Sequence, residues 1–333
     1  MKKLSFTLAF ERPLHLLDRC PIYKPSPLLH RFFGPKYVLL KDETQRMELG
    51  AFKALGGVYA VAQIIIGPGG SQDMPLSEMR EKAGTMTFIC ASAGNHGMAV
   101  AAGARIFGAK ARIHLPETAP QVFEKRLVQQ GAQVVRSAAT YEESVRCAIK
   151  DAADNNDIHL ADGSWEGYME PPRLVMEGYT VIAQELREAF VETGDWPTDV
   201  FLQAGVGGLA AAITYMIRAN WPVQPKITVV EPENAPCLRD GVKAGQVVTV
   251  VGPVSNMGRL DCKTASMLAL EVLRQMADSF VTVSDHQAQL ATESLAAVDI
   301  RTTPSGASGL AALLASDISV DARPLVIISE GQV

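Results

Sequence analysis

With 333 residues, 47% of them hydrophobic, and a mean hydropathy of +0.09, the chain can bury a large core and form one large or two medium domains. A formal net charge of −5, a pI of 5.7 and the absence of any Lys/Arg run exclude nucleic acid and anionic membranes as expected partners, and apolar runs such as Ile64–Ile66 are far below the roughly 18 residues of a bilayer span. The five cysteines (Cys20, Cys90, Cys147, Cys237, Cys262) are odd in number, far apart and without a C-x-x-C spacing, which suits reduced thiols and predicts neither disulfides nor a metal site.

Met1–Phe10 carries two lysines and a few apolar residues before Glu11, Arg12 and Pro13 end the run, so no secretory leader is expected and a cytoplasmic location is predicted. Five prolines in the first 35 residues predict a segment that wraps a surface rather than a core helix. Tyr37–Leu40 reads as a strand. Glu48–Gly57 follows, with Lys53 opening a helix of small and apolar residues that should be poor in water. Desolvation and a helix N-terminus both disfavour an ammonium, and a neutral amine can form a Schiff base with an aldehyde cofactor. The plainer alternative is a lysine whose stem packs while its amine reaches water. Gly67–Lys82, with Gly67-Pro-Gly-Gly70 and Pro75, reads as a turn-rich break near a domain hinge.

A regular alternation then begins. Strands are predicted at Thr87–Cys90, Ala111–Leu115, Gln133–Val135 and Ile158–Leu160, with helices at Gly97–Phe107, Gln121–Gln130 and Glu142–Asn155. The pattern resumes with helix Leu174–Phe190, strand Asp199–Leu202, helix Leu209–Arg218 and strand Lys226–Val230. After a loop-rich stretch (Pro232–Gly258) come helix Ser266–Met276, strand Ser279–Val283, helices Gln287–Val298 and Ser305–Leu314, and strand Pro324–Ile328. Repeats of this kind predict an α/β protein with a mostly parallel sheet and helices on its faces.

Two strand-to-helix junctions carry candidate chemistry. Ala204-Gly-Val-Gly-Gly-Leu-Ala210 has the form of a phosphate cradle, because missing side chains let amides turn toward an anion at a helix N-terminus. Read as G-x-G-x-x-A with Glu231 ending the next strand, the same stretch passes for a dinucleotide fingerprint, which keeps an NAD-linked oxidoreductase open. Ala91-Ser-Ala-Gly-Asn-His-Gly97 is the second junction. Ser92, Asn95 and the helix amides can hold a carboxylate there, or Ser92 and Asn95 merely cap the helix; His96 alone is as readily a packing residue as a catalyst.

Phe52-Lys53, Ser92-Ala-Gly-Asn-His96 and Gly205-Val-Gly-Gly-Leu209 occur in the order that resembles the fold type II pyridoxal-phosphate enzymes, a group that includes threonine/serine dehydratases, threonine synthase and diaminopropionate ammonia-lyase. The likeness covers nearly the whole chain. The asparagine loop is similar to the dehydratase version, whereas Gly50–Gly57, Asp162–Tyr168 with Pro172, Gln203–Gly207 and Met257–Cys262 resemble diaminopropionate ammonia-lyase. The resemblance implies a three-layer fold with a large cofactor domain (1–60 and 157–333) and a smaller α/β domain (61–156).

It also implies pyridoxal 5'-phosphate as cofactor, a small amino acid as substrate and a homodimer. Lys53 would carry the cofactor and act as base at Cα. Gly205, Val206, Gly207, Gly208 and Leu209 would hold its phosphate by backbone amides, Asn95 its ring 3-oxygen, and Ser305 its pyridine nitrogen. The loop of Ser92, Ala93, Gly94, Asn95 and His96 would receive the substrate carboxylate, while Asp162 or Glu166 would bond a β-amine or protonate the leaving group. The implied reaction is α,β-elimination, with 2,3-diaminopropionate going to pyruvate and ammonia. Dehydration of serine, threonine or 3-hydroxyaspartate is the alternative, and a non-catalytic binding protein a more distant one. Ala93 stands where diaminopropionate ammonia-lyases carry an acid tied to D-substrates, so L-substrates are expected.

Overall fold

The computed structural model describes residues 4–332. The chain opens with α1 (Glu11–Asp18), β1 (Leu28–Phe33), β2 (Lys36–Asp42), α2 (Lys53–Ile66) and α3 (Leu76–Ala83). It continues with β3 (Thr87–Ala91), α4 (Asn95–Phe107), β4 (Lys110–Pro116), α5 (Gln121–Gln129), β5 (Gln133–Ala138), α6 (Tyr141–Asn155) and β6 (Ile158–His159). Next come α7 (Glu170–Thr193), β7 (Asp199–Gln203), α8 (Gly208–Asn220), β8 (Lys226–Pro232) and α9 (Cys237–Ala244). The last elements are α10 (Met267–Met276), β9 (Ser279–Val283), α11 (Asp285–Ala296), α12 (Pro304–Leu314) and β10 (Pro324–Ile328).

These elements sort into two sheets. The smaller is parallel throughout, ordered β5-β4-β3-β6; the larger is ordered β1-β2-β10-β7-β8-β9, and in it only the β1–β2 pairing is antiparallel. Every residue of β10 is buried, as are four of the five in β7, because helices cover both faces and the strands must be apolar on both sides. β6 lies just beyond the expected boundary at residue 156 yet pairs with β3 of the smaller sheet.

Three segments differ from expectation. The proline-rich start contains α1, which buries Pro13, Leu16 and Leu17; Pro13 sits in the first turn, where its missing N–H breaks no helical bond. It also contains β1, an edge strand returning through Gly34 at φ 61°. The break at Gly67–Lys82 ends in α3, begun after Pro75 and anchored by Met79 and Ala83. The loop-rich stretch after residue 232 includes α9, anchored by Cys237, Leu238 and Gly241.

α2 is pressed between α4 and α7. A Cβ on Gly57 would lie 2.5 Å from the Cβ of Ala99 in α4, and one on Gly56 2.6 Å from the carbonyl oxygen of Val175 in α7. Glycine is required at both positions by close backbone approach, and this packing fixes where the first residue of α2, Lys53, stands.

Candidate active site

The turn before Lys53 is built under strain and held by distant chain. Met47 (φ 50°) and Glu48 (φ 59°) both occupy the left-handed region, at about 1–3 kcal/mol each for non-glycine residues. What over-determines the turn is the segment after β10. Glu43 N donates to Ile328 O (2.9 Å), Phe52 N to Ser329 O (3.0 Å) and Gly331 N to Gly50 O (2.9 Å). Beneath it, the buried Arg46 guanidinium donates to Glu43 (2.6 and 2.8 Å) and to Glu185 (2.8 Å to each oxygen). Lys53 is thereby set beside Ser329 and Glu330.

A cavity of about 460 Å³ opens at the carboxyl ends of the strands, between the two sheets. It brings together Lys53, Ser92, Ala93, Gly94, Asn95, His96, Asp162 and the whole loop Gly205, Val206, Gly207, Gly208, Leu209. Ligands of open parallel sheets bind at such strand ends. The Lys53 ammonium is ion-paired and hydrogen-bonded to Asp162. Burial pushes the lysine down, but the charge and hydrogen bond of Asp162 together with the Tyr179 and Cys262 side chains outweigh it and hold the ammonium above its ordinary range. Asp162 is the mirror case: burial raises its carboxyl, and the charge and hydrogen bond of Lys53 together with His96 and a backbone amide override that and depress it.

His96 Nε2 donates to Leu160 O at 2.8 Å, tying the start of α4 to the end of β6, and burial holds the imidazole below its ordinary range. It is a neutral clamp at the cavity wall. Asn95 donates through Nδ2 to Glu330 Oε2, and the Thr303 hydroxyl donates to Glu330 Oε1 at 2.5 Å. Burial pushes the Cys262 thiol up to about 11, so it faces the cavity protonated.

The residues present fit a phosphorylated ring. Gly207 takes φ 101°, and a Cβ on it would fall 2.9 Å from that of Ala269; on Gly205 one would fall 2.9 Å from Cys262 Sγ. Side chains would fill the cradle. The first-turn amides of α8 have no preceding helical carbonyl and are left for an anion. Four buried polar atoms of lining residues, His96 Nδ1, Tyr179 Oη, Gln203 Oε1 and Arg259 Nε, have no hydrogen-bond partner among the described residues.

Other expected residues lie elsewhere. Ser305 is buried outside the cavity lining, and its hydroxyl accepts from Arg259 N at 3.1 Å; Ser329 is the hydroxyl residue in the lining on that side. Glu166 is exposed in a separate cleft beside Trp165 and Tyr168, whose rings stack with centroids 4.3 Å apart. Glu231 is fully buried away from the cavity and accepts from Leu238 N (2.7 Å) and Arg239 N (2.8 Å), so it caps α9 and offers nothing to a ribose. Sequence reasoning missed Ser329, Glu330, Tyr179 and the separate importance of Arg259. The signal for the first two was available: Ser329-Glu330-Gly331 directly follows an apolar parallel strand, as both recognised loops do.

A lysine opening on a glycine-walled anion cradle, at the strand ends of a two-sheet parallel α/β fold, defines an enzyme that uses pyridoxal phosphate. The chain belongs to that family: the model of the pyridoxal-phosphate dependent enzymes matches residues 20–331. Diaminopropionate ammonia-lyase of Escherichia coli K12 is 35% identical over 279 residues, spanning 80% of this chain and 70% of the relative. L-serine dehydratase/L-threonine deaminase of Bos taurus is 32% identical over 285 residues, spanning 85% and 77%. Among solved structures, Escherichia coli diaminopropionate ammonia lyase in complex with D-serine superposes with a TM-score of 0.88 at 30% identity, covering 99% of this chain and 91% of that one.

Proposed function

We propose that the chain catalyses α,β-elimination on a small amino acid, with 2,3-diaminopropionate plus water going to pyruvate and two ammonia as the foremost reaction. The observation that carries this is the Lys53–Asp162 pair facing the Gly205–Leu209 cradle in one cavity. Pyridoxal phosphate, when bound, supplies the electron sink for charge left at Cα. The protein supplies the rest. The Gly205–Leu209 amides bind phosphate, and the amides at the start of α4 with Ser92 bind the substrate carboxylate. Asn95 has two N–H groups on Nδ2; Glu330 takes one, and the other would be available to the ring 3-oxygen. Lys53 Nζ takes the Cα proton as the neutral amine, the form burial favours once the Asp162 charge is engaged elsewhere. Asp162 steers that amine and receives a β-ammonium, and Ser329 rather than Ser305 offers the hydroxyl for the ring nitrogen.

Borohydride reduction of cofactor-loaded protein should fix the cofactor's mass on the peptide bearing Lys53, and the protein should release ammonia from diaminopropionate. Lys53→Ala should lose both. Label on another lysine, or ammonia release that survives the substitution, would overturn the assignment. Dehydration of serine, threonine or 3-hydroxyaspartate is the second reading, supported by Ala93, which leaves the asparagine loop without a carboxylate.

The same reading includes a cytoplasmic homodimer with a larger unit (1–60 and 157–333) and a smaller one (61–156). Five free cysteines support a reducing location, and no helix among the described residues is long and apolar enough to cross a membrane. Sedimentation of the loaded protein tests the dimer.

A further inference from the structure

The cavity contains a cation that the elimination chemistry does not use. Arg259, on the loop between α9 and α10, lines the same wall as Glu330. Its guanidinium carbon stands 5.6 Å from the ring centroid of Phe123 in α5, so the side chain bridges the mouth from the larger sheet's side to the smaller's. Nε is buried without a hydrogen-bond partner, 3.5 Å from Glu330 Oε2. Glu330 itself is engaged by Asn95 and Thr303. Among the described residues no acceptor meets Nη1 or Nη2. Nη1 is 3.6 Å from where a Cβ on Gly94 would be, so the free end of the guanidinium lies over the loop that receives the substrate. Arg126 adds positive charge nearby: burial first, and then the Arg259 charge, lower its pKa.

The other charged lining groups are accounted for. Lys53 and Asp162 pair with each other, Asp261 pairs with Lys263 at 2.5 Å, and Glu142 stands exposed at the start of α6. A guanidinium with two free nitrogens matches a carboxylate in fork geometry. The α-carboxylate is taken by the loop amides, which leaves Arg259 for a second carboxylate one carbon further along the substrate.

We propose that Arg259 is a specificity-determining residue that admits amino acids bearing a carboxylate on Cβ, so that the cavity also dehydrates 3-hydroxyaspartate. This rests on the elimination reading above. The Cα–H bond breaks with the proton passing to Lys53, and the Cβ–O bond breaks as Lys53 hands that proton to the departing hydroxyl, which leaves as water. Hydrolysis of the released enamine consumes one water and gives oxaloacetate and ammonia.

The test uses cofactor-loaded full-length protein, Arg259→Gln and Arg259→Lys. Calorimetric titration with aspartate and with alanine, neither of which has a β-leaving group, should show aspartate bound at least tenfold tighter. Arg259→Gln should erase that preference and Arg259→Lys restore part of it. In turnover, kcat/KM for 3-hydroxyaspartate should fall roughly tenfold to a hundredfold further than that for serine in Arg259→Gln, the loss expected for a charge-assisted pair. The ratio of diaminopropionate to hydroxyaspartate turnover should shift toward diaminopropionate, whose β-ammonium no longer meets a like charge. Equal affinity for aspartate and alanine in the unsubstituted protein, equal losses on serine and hydroxyaspartate, or turnover of O-phosphoserine with none of hydroxyaspartate would each overturn the proposal. Failure of every amino acid to release ammonia would instead overturn the elimination reading, and the titrations would still decide the role of Arg259.

Discussion

Gly57→Ala should disable the site from a distance by prying two helices apart. The added Cβ would meet the Cβ of Ala99 at 2.5 Å and the carbonyl carbon of Ala99 at 2.9 Å, where carbon atoms ordinarily rest at about 3.5–4 Å. Relief requires α2 and α4 to separate by on the order of 1 Å, and such overpacking costs about 1–3 kcal/mol. The displacement falls on chemistry at both ends, because α2 begins with Lys53 and α4 with Asn95, each about one turn from the clash. Misplacement of reacting groups by about 1 Å is enough for a loss near a hundredfold. Thermal unfolding and ammonia release at saturating cofactor, measured on the same preparation, should both fall. Ala99→Gly in the Gly57→Ala background should recover part of each, since it removes the closer of the two contacts. Unchanged melting and turnover in Gly57→Ala, or strictly additive losses in the double variant, would refute the steric argument.

Three further outcomes follow from the charges and hydroxyls. Glu231 is raised from its ordinary 4.5 to about 7, chiefly by burial; a carboxyl with a raised folded pKa stabilises below its unfolded value, and that contribution disappears as pH climbs through about 7. Melting of the unsubstituted protein should therefore lose on the order of 3 kcal/mol between those pH values from this group, and Glu231→Gln should flatten the dependence; an identical profile would remove Glu231 as its source. Asp162→Asn should harm diaminopropionate turnover more than serine turnover, and equal losses would leave Asp162 only the orientation of Lys53. Ser329→Ala should lower kcat more than Ser305→Ala, whose principal loss is one bond to the Arg259 amide; the reverse order would return the ring-nitrogen role to Ser305.

The parts of this enzyme legible in its sequence are those whose physics is local. A strand running into Gly205-Val-Gly-Gly-Leu209, or into Ser92–His96, states its geometry within about ten residues, because glycine, strand propensity and an alanine-rich helix all act on neighbours. What was not legible depends on pairs far apart in the chain. Asn95 and Glu330 are separated by 235 positions and Lys53 and Asp162 by 109, and neither Glu330 nor the ionised state of Lys53 can be inferred from adjacent residues. Glu231 illustrates the opposite error. Its spacing from the glycine loop imitates a ribose-binding acid, but the local return of the chain at Pro236–Arg239 points two amides at its carboxylate. Ser305 was expected in the cavity for a related reason: a serine at a helix start resembles a ligand-facing hydroxyl until the Arg259 loop is seen to lie against it.

The position of β10 bears on how the protein is made. This strand sits between β2 and β7, although 281 residues separate the end of β2 at Asp42 from Pro324, and it is buried along its whole length. During synthesis, β2 and β7 emerge with facing edges that only a much later segment can join, and the turn carrying Lys53 lacks its backbone bonds to Ile328–Gly331 until that segment arrives. Nascent chains of intermediate length therefore present two unpaired sheet edges, the kind of surface that invites non-native pairing and chaperone capture. Expression yield should respond to translation speed over the final third of the message more than to substitutions on the protein's surface.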